Sequence, residues 1–289
     1  MKKIIAVAVA GAFAAPVMAA DVTVSGNLEY VFVSDDQANT ADFIAEDAVV
    51  SIGASSELAN GMTISSSINI ENTDESASAT TPDGGNNVTI GGDFGTLAIG
   101  DVSGGMDAVG DYTDVAAYFG GFDADGDDAA FAFTPSLGIN GLKAVISATP
   151  EGDANNPEGT SYSVTYSTGG FSAYYGKDET AAAASQMSAA GVKYSADGIM
   201  VAYESGESPN SASGKVEFKG VAATYSMGDL TFGVEMQEQK DDGTVDSDET
   251  TLSASYDLGG GASVYIVNTE DDKLSTKVDK TALGINFAF

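Results

Sequence analysis

From Asp21 onward, apolar and polar residues take turns along the chain. Val22, Val24, Leu28, Tyr30 and Phe32 hold one parity, while Thr23, Ser25, Asn27 and Glu29 hold the other. A period of two places the two sets on opposite faces of an extended strand, one apolar and one polar. Met62, Ile64, Ile68 and Ile70 repeat the pattern, opposed by Thr63, Ser65, Ser67 and Asn69. It returns at Tyr162, Val164 and Tyr166, at Val192 and Tyr194, at Ile199, Val201 and Tyr203, and at Leu230, Phe232, Val234 and Met236. Leu252, Ala254 and Tyr256, then Val264 and Ile266, then Leu283, Ile285, Phe287 and Phe289 carry it to the last residue. No stretch beyond the N-terminal segment shows an apolar stripe at helical spacing, so strands are predicted throughout.

The punctuation between these strands comes in two sizes. Short reversals rich in Gly, Asn or Asp are predicted at 59–61, 93–95, 137–141, 168–170, 197–198, 228–229 and 259–261, where residues that tolerate positive φ gather. Longer acidic stretches lie near 34–47, 72–86, 101–129, 150–160, 178–188, 205–215, 239–249 and 269–280. Short and long alternate, seven against eight, and fifteen connections join sixteen strands. Each strand with its connection has about 17 residues, room for the roughly 9–11 that cross a bilayer as a tilted strand. The fold predicted is an all-β transmembrane antiparallel barrel of about sixteen strands. Such barrels have short turns on one side, long loops on the other, and an apolar-out, polar-in alternation. A soluble acidic β-sandwich is the competing reading, but it gives no reason for alternating connection lengths and needs bulkier core residues than the many Ala, Gly and Ser here. Tyr30, Phe32, Tyr162, Phe171, Tyr175, Tyr203 and Tyr225 stand near predicted strand ends, as interfacial aromatic girdles require.

Charge and composition narrow the chemistry. The 289 residues include 43 Asp and Glu against 11 basic residues, all Lys, giving a formal net charge of −32. Arg, His, Cys and Trp are absent. No disulfide, zinc, haem or Ser-His-Asp centre can be built from such a chain, and its charge repels nucleic acid. Enzymes on outer-membrane barrels that hydrolyse lipids or peptides use His; a glycosidase-like carboxylate pair remains conceivable, but nothing sets one pair apart. The reading is therefore not an enzyme. The N-terminus opens with Lys2 and Lys3, continues with an apolar run from Ile4 to Ala15, and reaches small residues up to Ala19. This is the pattern of a secretory signal peptide over 1–19, leaving a barrel domain over 20–289.

Three segments carry a family resemblance. Thr281 to Phe289 looks like the C-terminal strand of Gram-negative outer-membrane proteins, with Leu283, Ile285, Phe287 and the terminal Phe289 at alternate positions. Asp93-Phe94-Gly95-Thr96-Leu97-Ala98-Ile99-Gly100-Asp101 is similar to the FGTL turn-and-strand motif of general diffusion porins. Phe131-Ala132-Phe133-Thr134-Pro135 with Gly141-Leu142-Lys143 resembles the porin strand after the constriction loop, and Tyr256 to Gly261 extends the likeness. The resemblance implies a homotrimeric sixteen-stranded porin in the outer membrane of a Gram-negative bacterium, in contact with outer-membrane lipid and lipopolysaccharide. It also implies a C-terminal strand that closes the barrel and is read by the assembly machinery. It further implies that the third external loop, about 101–129, folds into the lumen and narrows it.

That loop is one-sided in charge: Asp101, Asp107, Asp111, Asp114, Asp123, Asp125, Asp127 and Asp128, with no Lys. Asp101, Asp107, Asp111 and Asp114 are the candidate constriction residues, and carboxylates beside a narrow aqueous path concentrate cations. Family porins oppose such acids with arginines; here only lysines are present, and parity places Lys143, Lys193, Lys215 and Lys219 toward the lumen. Asp123, Asp125 and Asp127 have a spacing reminiscent of a calcium loop but lack its terminal bidentate Glu, so calcium or magnesium in the loops is a candidate and no cofactor is otherwise expected. The function expected is a passive channel for small hydrophilic solutes and ions, cation-selective. Two alternatives stand beside it: a sugar-selective channel using Tyr112, Tyr118, Phe119 and Phe122, and a non-conducting surface or adhesion barrel.

Overall fold

A computed structural model describes residues 20–35, 40–71, 86–110, 112–119, 129–150, 158–180, 186–209, 214–242, 244–273 and 276–289. Among them the alternation becomes sixteen strands. The first eight are β1 (Asp21–Asp35), β2 (Thr40–Glu57), β3 (Thr63–Glu71), β4 (Asn87–Gly92), β5 (Gly95–Val102), β6 (Ala129–Pro135), β7 (Leu142–Thr149) and β8 (Gly159–Thr168). The second eight are β9 (Phe171–Thr180), β10 (Ser188–Ala196), β11 (Ile199–Pro209), β12 (Lys215–Met227), β13 (Leu230–Asp241), β14 (Thr244–Gly259), β15 (Ala262–Lys273) and β16 (Thr276–Ala288).

Each strand pairs antiparallel with its neighbours in sequence, and β16 returns to β1, so the sheet is a closed barrel without an exposed edge. Leu28, Tyr30 and Phe32 lie opposite Phe287, Ile285 and Leu283 in that closing pair. Gly26 and Phe289 exchange two backbone hydrogen bonds of 3.0 Å beyond it.

The two faces separate by parity. Val201, Tyr203, Val221, Tyr225, Phe232, Met236, Leu252 and Ile266 are 43 to 55% exposed, whereas Ala202, Glu204, Ala222, Glu235, Thr251 and Val267 on the alternate positions are at most 8% exposed. A closed barrel in lipid turns its apolar parity outward, so the polar parity lines the lumen. The short turns are as tight as the sequence requires. Gly261 has φ 86°, and a side chain there would come within 2.0 Å of the Ala288 carbonyl oxygen.

The wall is uneven in height. Strands β3 to β7 have 6 to 9 residues, while β11 to β16 have 11 to 16. Three of the long connections expected from sequence are largely strand. β1 runs to Asp35 and β2 resumes at Thr40, Asp241 pairs with Thr244, and Lys273 pairs with Thr276. Polar residues stand on both parities in these extensions, as at Glu238, Gln239, Lys240 and Asp241 or Glu270, Asp271 and Asp272, so the period of two vanishes from the sequence although the hydrogen-bond ladder continues.

Candidate functional site

The chain leaves the wall after β5 through a local break in the ladder. Register shifts between Ile99 and Val102, Gly100 adopts φ 120°, and the Asp101 amide donates to the Asn86 carbonyl at 3.1 Å. Residues 104–109 then form a single helical turn, with Ala108 N donating to Gly104 O at 3.1 Å and Val109 N to Met106 O at 3.0 Å. The described parts of this connection, 103–110 and 112–119, lie against the lumen-side parity of the wall.

Its seat is built from hydroxyls, carboxylates and glycines. The Gly105 amide donates to Ser147 Oγ on β7 (2.7 Å), and the Met106 amide to Ser161 Oγ on β8 (2.6 Å). Tyr112 Oη lies 2.6 Å from Ser172 Oγ on β9. Thr113 donates through both its amide (2.7 Å) and its hydroxyl (2.9 Å) to Glu204 Oε2 on β11, whose other oxygen accepts from the Tyr174 hydroxyl. The Val115 amide donates to Glu235 Oε2 on β13 at 2.9 Å. Both glutamates are essentially inaccessible to solvent. A buried carboxylate is costly unless donors surround it, and at Glu204 the donors come from the segment and the wall together.

Three wall glycines allow this close approach. A side chain at Gly176 would meet Val109 and Met106 (3.1 and 3.4 Å), one at Gly220 would meet Thr113 Oγ1 (2.7 Å), and one at Gly233 would meet Val115 (3.3 Å). Apolar contacts complete the seat. Met106 and Tyr112 pack with Tyr174, Ala189, Ala202 and Phe218, and further along Ala116, Tyr118 and Phe119 pack on Val31, Tyr265, Val267 and Ala282.

The sequence-predicted residues fall out as follows. Asp101 is exposed at the end of β5, Asp107 is half-buried on the helical turn and Asp114 is exposed between the two glutamate anchors. Asp111, Phe122, Asp123, Asp125 and Asp127 lie outside the described residues, as does the 1–19 segment. Lys193 Nζ sits 4.1 Å from the centre of the Tyr112 ring, a cation–π arrangement. Lys143 shares its parity with buried Val145 and with Ser147, which holds the segment.

The expectation of a lumen-facing side chain fails for Lys215 and Lys219. On β12 the lumen parity belongs to Phe218, Gly220 and Ala222, so both lysines share the outward parity of Val221 and Tyr225. The sequence misled because Phe218 reads as an outward apolar residue, whereas it is buried beneath the segment. Lys280, not singled out from sequence, lies 5.8 Å from the Phe119 ring centre. Glu204 and Glu235 were missed too. Their signal was a carboxylate at the polar parity of an otherwise apolar strand, which in a chain of 43 acidic residues does not stand out.

Among the described residues no three metal-binding side chains gather into a metal site. Tyr112 meets Tyr174 edge-on at 4.9 Å and Tyr118 meets Phe119 edge-on at 4.6 Å, so these rings pack with each other and with the wall.

A family model for Gram-negative porins matches residues 6–274. Comparison with curated protein sequences finds no match. Among solved structures, a loop-deletion variant of OmpT, an outer-membrane protein of Vibrio cholerae, superposes with a TM-score of 0.79 at 15% identity over 94% of this chain and 100% of that one. An anion-selective porin from Comamonas acidovorans gives 0.74 at 14% identity, covering 94% and 100%. Salmonella typhi OmpF, in a complex with daunomycin, gives 0.74 at 15% identity, covering 95% and 100%.

Proposed function

This chain belongs to the Gram-negative porin family, and from that premise we propose that it forms a passive, cation-selective channel for small hydrophilic solutes and ions across the outer membrane. The observation that supports the reading is the hydrogen bonding of Thr113 and Val115 to Glu204 and Glu235 on the lumen-side parity of the wall; Asp107 and Asp114 belong to the same segment and are the carboxylates proposed to line the aqueous path. The segment acts as the constriction. Sharing its face of the wall are more carboxylates (Glu29, Asp178, Glu249 and Asp271) than lysines, of which Lys143, Lys193 and Lys280 are described. With low-dielectric walls on either side, such a surplus concentrates cations and excludes anions. A solved structure of the same fold is named an anion-selective porin; in the reading proposed here the sign is set by the charges inside the barrel.

Solutes move down their own gradients, with no covalent step. OmpT of Vibrio cholerae is described in a trimer form, and a homotrimer is the assembly proposed here. An aromatic sugar slide is disfavoured, because Tyr112, Tyr118 and Phe119 spend their faces on packing.

The test is single-channel current in a planar bilayer, with the reversal potential read under a KCl gradient. Stepwise openings in threes with a reversal on the potassium side support the proposal. A reversal on the chloride side overturns the selectivity, and a folded barrel without current overturns the channel.

A further inference from the structure

The hydrogen bonds that seat the segment come from β7 to β13, and a polar row on β1, β16, β15 and β14 takes no part in them. Glu29 lies directly opposite Asn286, Asn286 opposite Ser263, and Ser263 opposite Asp257. All four stand on the parity opposite to exposed Leu28, Ile285, Ile266 and Tyr256, hence on the lumen side. Neighbouring strands are about 4.8 Å apart, so the row presents a carboxylate, a carboxamide, a hydroxyl and a second carboxylate over about 14 Å. A recess of about 610 Å³ opens along it, between Ala117 of the segment and the short turns at Asp229 and Gly261.

The recess exists because Tyr265 leans away from β14. Gly284 stands beside Tyr265 across the strands, and a side chain there would overlap the tyrosine ring. Lying over that glycine, the ring is 3% exposed, in a cluster against which Ala116, Tyr118 and Phe119 pack. Its hydroxyl donates to Glu29 Oε1, and Asn286 Nδ2 donates to Glu29 Oε2 at 3.3 Å. The Glu29 carboxylate is thus fixed by two uncharged donors, and each oxygen keeps a further lone pair. At the other end of the row the Gly259 amide donates to Asp257 Oδ1 at 2.7 Å. No lysine is among the described residues that line the recess.

A positioned carboxylate beside neutral groups that both donate and accept suits a solute with an ammonium group next to hydroxyls. We propose that the recess is a binding subsite for small hydroxylated ammonium compounds, on the short-turn side of the constriction. The ammonium meets Glu29, Asn286 and Ser263 take the neighbouring hydroxyls, and the Asp257 charge holds the cation within the recess. A bare ammonium uses only the carboxylates and an uncharged polyol lacks the charge-assisted bond, which is the stronger kind. The subsite deepens the channel reading, on which its part in solute passage rests; its occupancy is measured without current.

The test is saturation-transfer NMR on the full mature assembly in detergent micelles, with glucosamine, glucose and methylammonium as separate probes. Glucosamine is expected to bind about tenfold more tightly than either of the others, the gain from one hydrogen bond to a charged group. E29Q keeps an acceptor for Tyr265 and should bring glucosamine down to the level of glucose. N286A should bring it down toward methylammonium, and D107N/D114N, altered only in the segment, should keep the full preference. Heat-shifted gel mobility verifies that each variant is a folded barrel. Bilayer current on the same material reads the channel separately, so glucosamine bound by a barrel without current overturns the channel and supports the recess. Equal binding of the three probes by the wild type overturns the subsite. So does a preference that survives both E29Q and N286A, or one that disappears in D107N/D114N.

Discussion

Thr113 gives both of its donors to one atom, Oε2 of Glu204, its amide at 2.7 Å and its hydroxyl at 2.9 Å. The residues are 91 positions apart in sequence, and the contact joins the lumenal segment to a strand on the tall side of the barrel. Substituting E204A strands the Thr113 amide and the Tyr174 hydroxyl, at about 1–3 kcal/mol for each buried donor left unpaired. Thermal unfolding should come at lower temperature, and single-channel traces should become noisier as the segment loosens. E204Q keeps one carbonyl acceptor and should fall between E204A and wild type in both measurements.

Filling the seat should work in the opposite direction from cutting the tether. A side chain at Gly220 would reach within 2.7 Å of Thr113 Oγ1, so G220V pushes the segment off the wall and toward the pore axis. Overpacking of this kind costs about 1–3 kcal/mol. We expect lower conductance and slower sugar-driven swelling of proteoliposomes, with the β-sheet circular dichroism signal unchanged.

Selectivity should follow the charges on the segment and the lysine behind it. D107N/D114N is expected to move the reversal potential under a KCl gradient toward zero, whereas K193Q moves it further to the potassium side. Both displacements should shrink as bulk salt rises from 0.1 to 1 M, because the screening length falls from about 10 Å to about 3 Å. A displacement independent of salt would exclude through-water electrostatics as its cause.

Closure depends on the final residue. The Phe289 amide and carbonyl pair with Gly26 at 3.0 Å each, and its ring stacks with Phe287 at 5.9 Å between centres. Deleting Phe289 removes both hydrogen bonds at the seam. The yield of heat-modifiable barrel in refolding experiments should drop, while the F289Y variant should assemble normally.

The barrel was legible because its physics is local. Leu230, Phe232, Val234 and Met236 announce an outward face, and Gly228 or Gly261 announces a turn because glycine tolerates the positive φ found there. Legibility failed where that solvent contrast disappears. At 269–273 and 276–280 polar residues stand on both parities and the strands read as loop. At Phe218 the buried surface is inside the pore, so an apolar residue marks the lumen and carried Lys219 to the wrong side with it. The seat was hidden for another reason: Ser147, Ser161, Glu204 and Glu235 are ordinary polar-parity residues until the segment lies against them. The closest thing to a signal was glycine at lumen parity, at Gly176, Gly220 and Gly233, where a wall strand surrenders its side chain for no local reason.

The tethers at Glu204 and Glu235 also impose an order in time. Thr113 and Val115 must wait for partners 91 and 120 residues downstream, and contacts so far apart in sequence form slowly. The segment can complete its seat only once β11 and β13 have joined the wall. The seat is in this sense a late trait, written in the second half of the chain although the segment it holds belongs to the first. Exchanging 103–119 between two barrels would transplant the charges without their anchorage, unless both glutamates and the three glycines travelled with it.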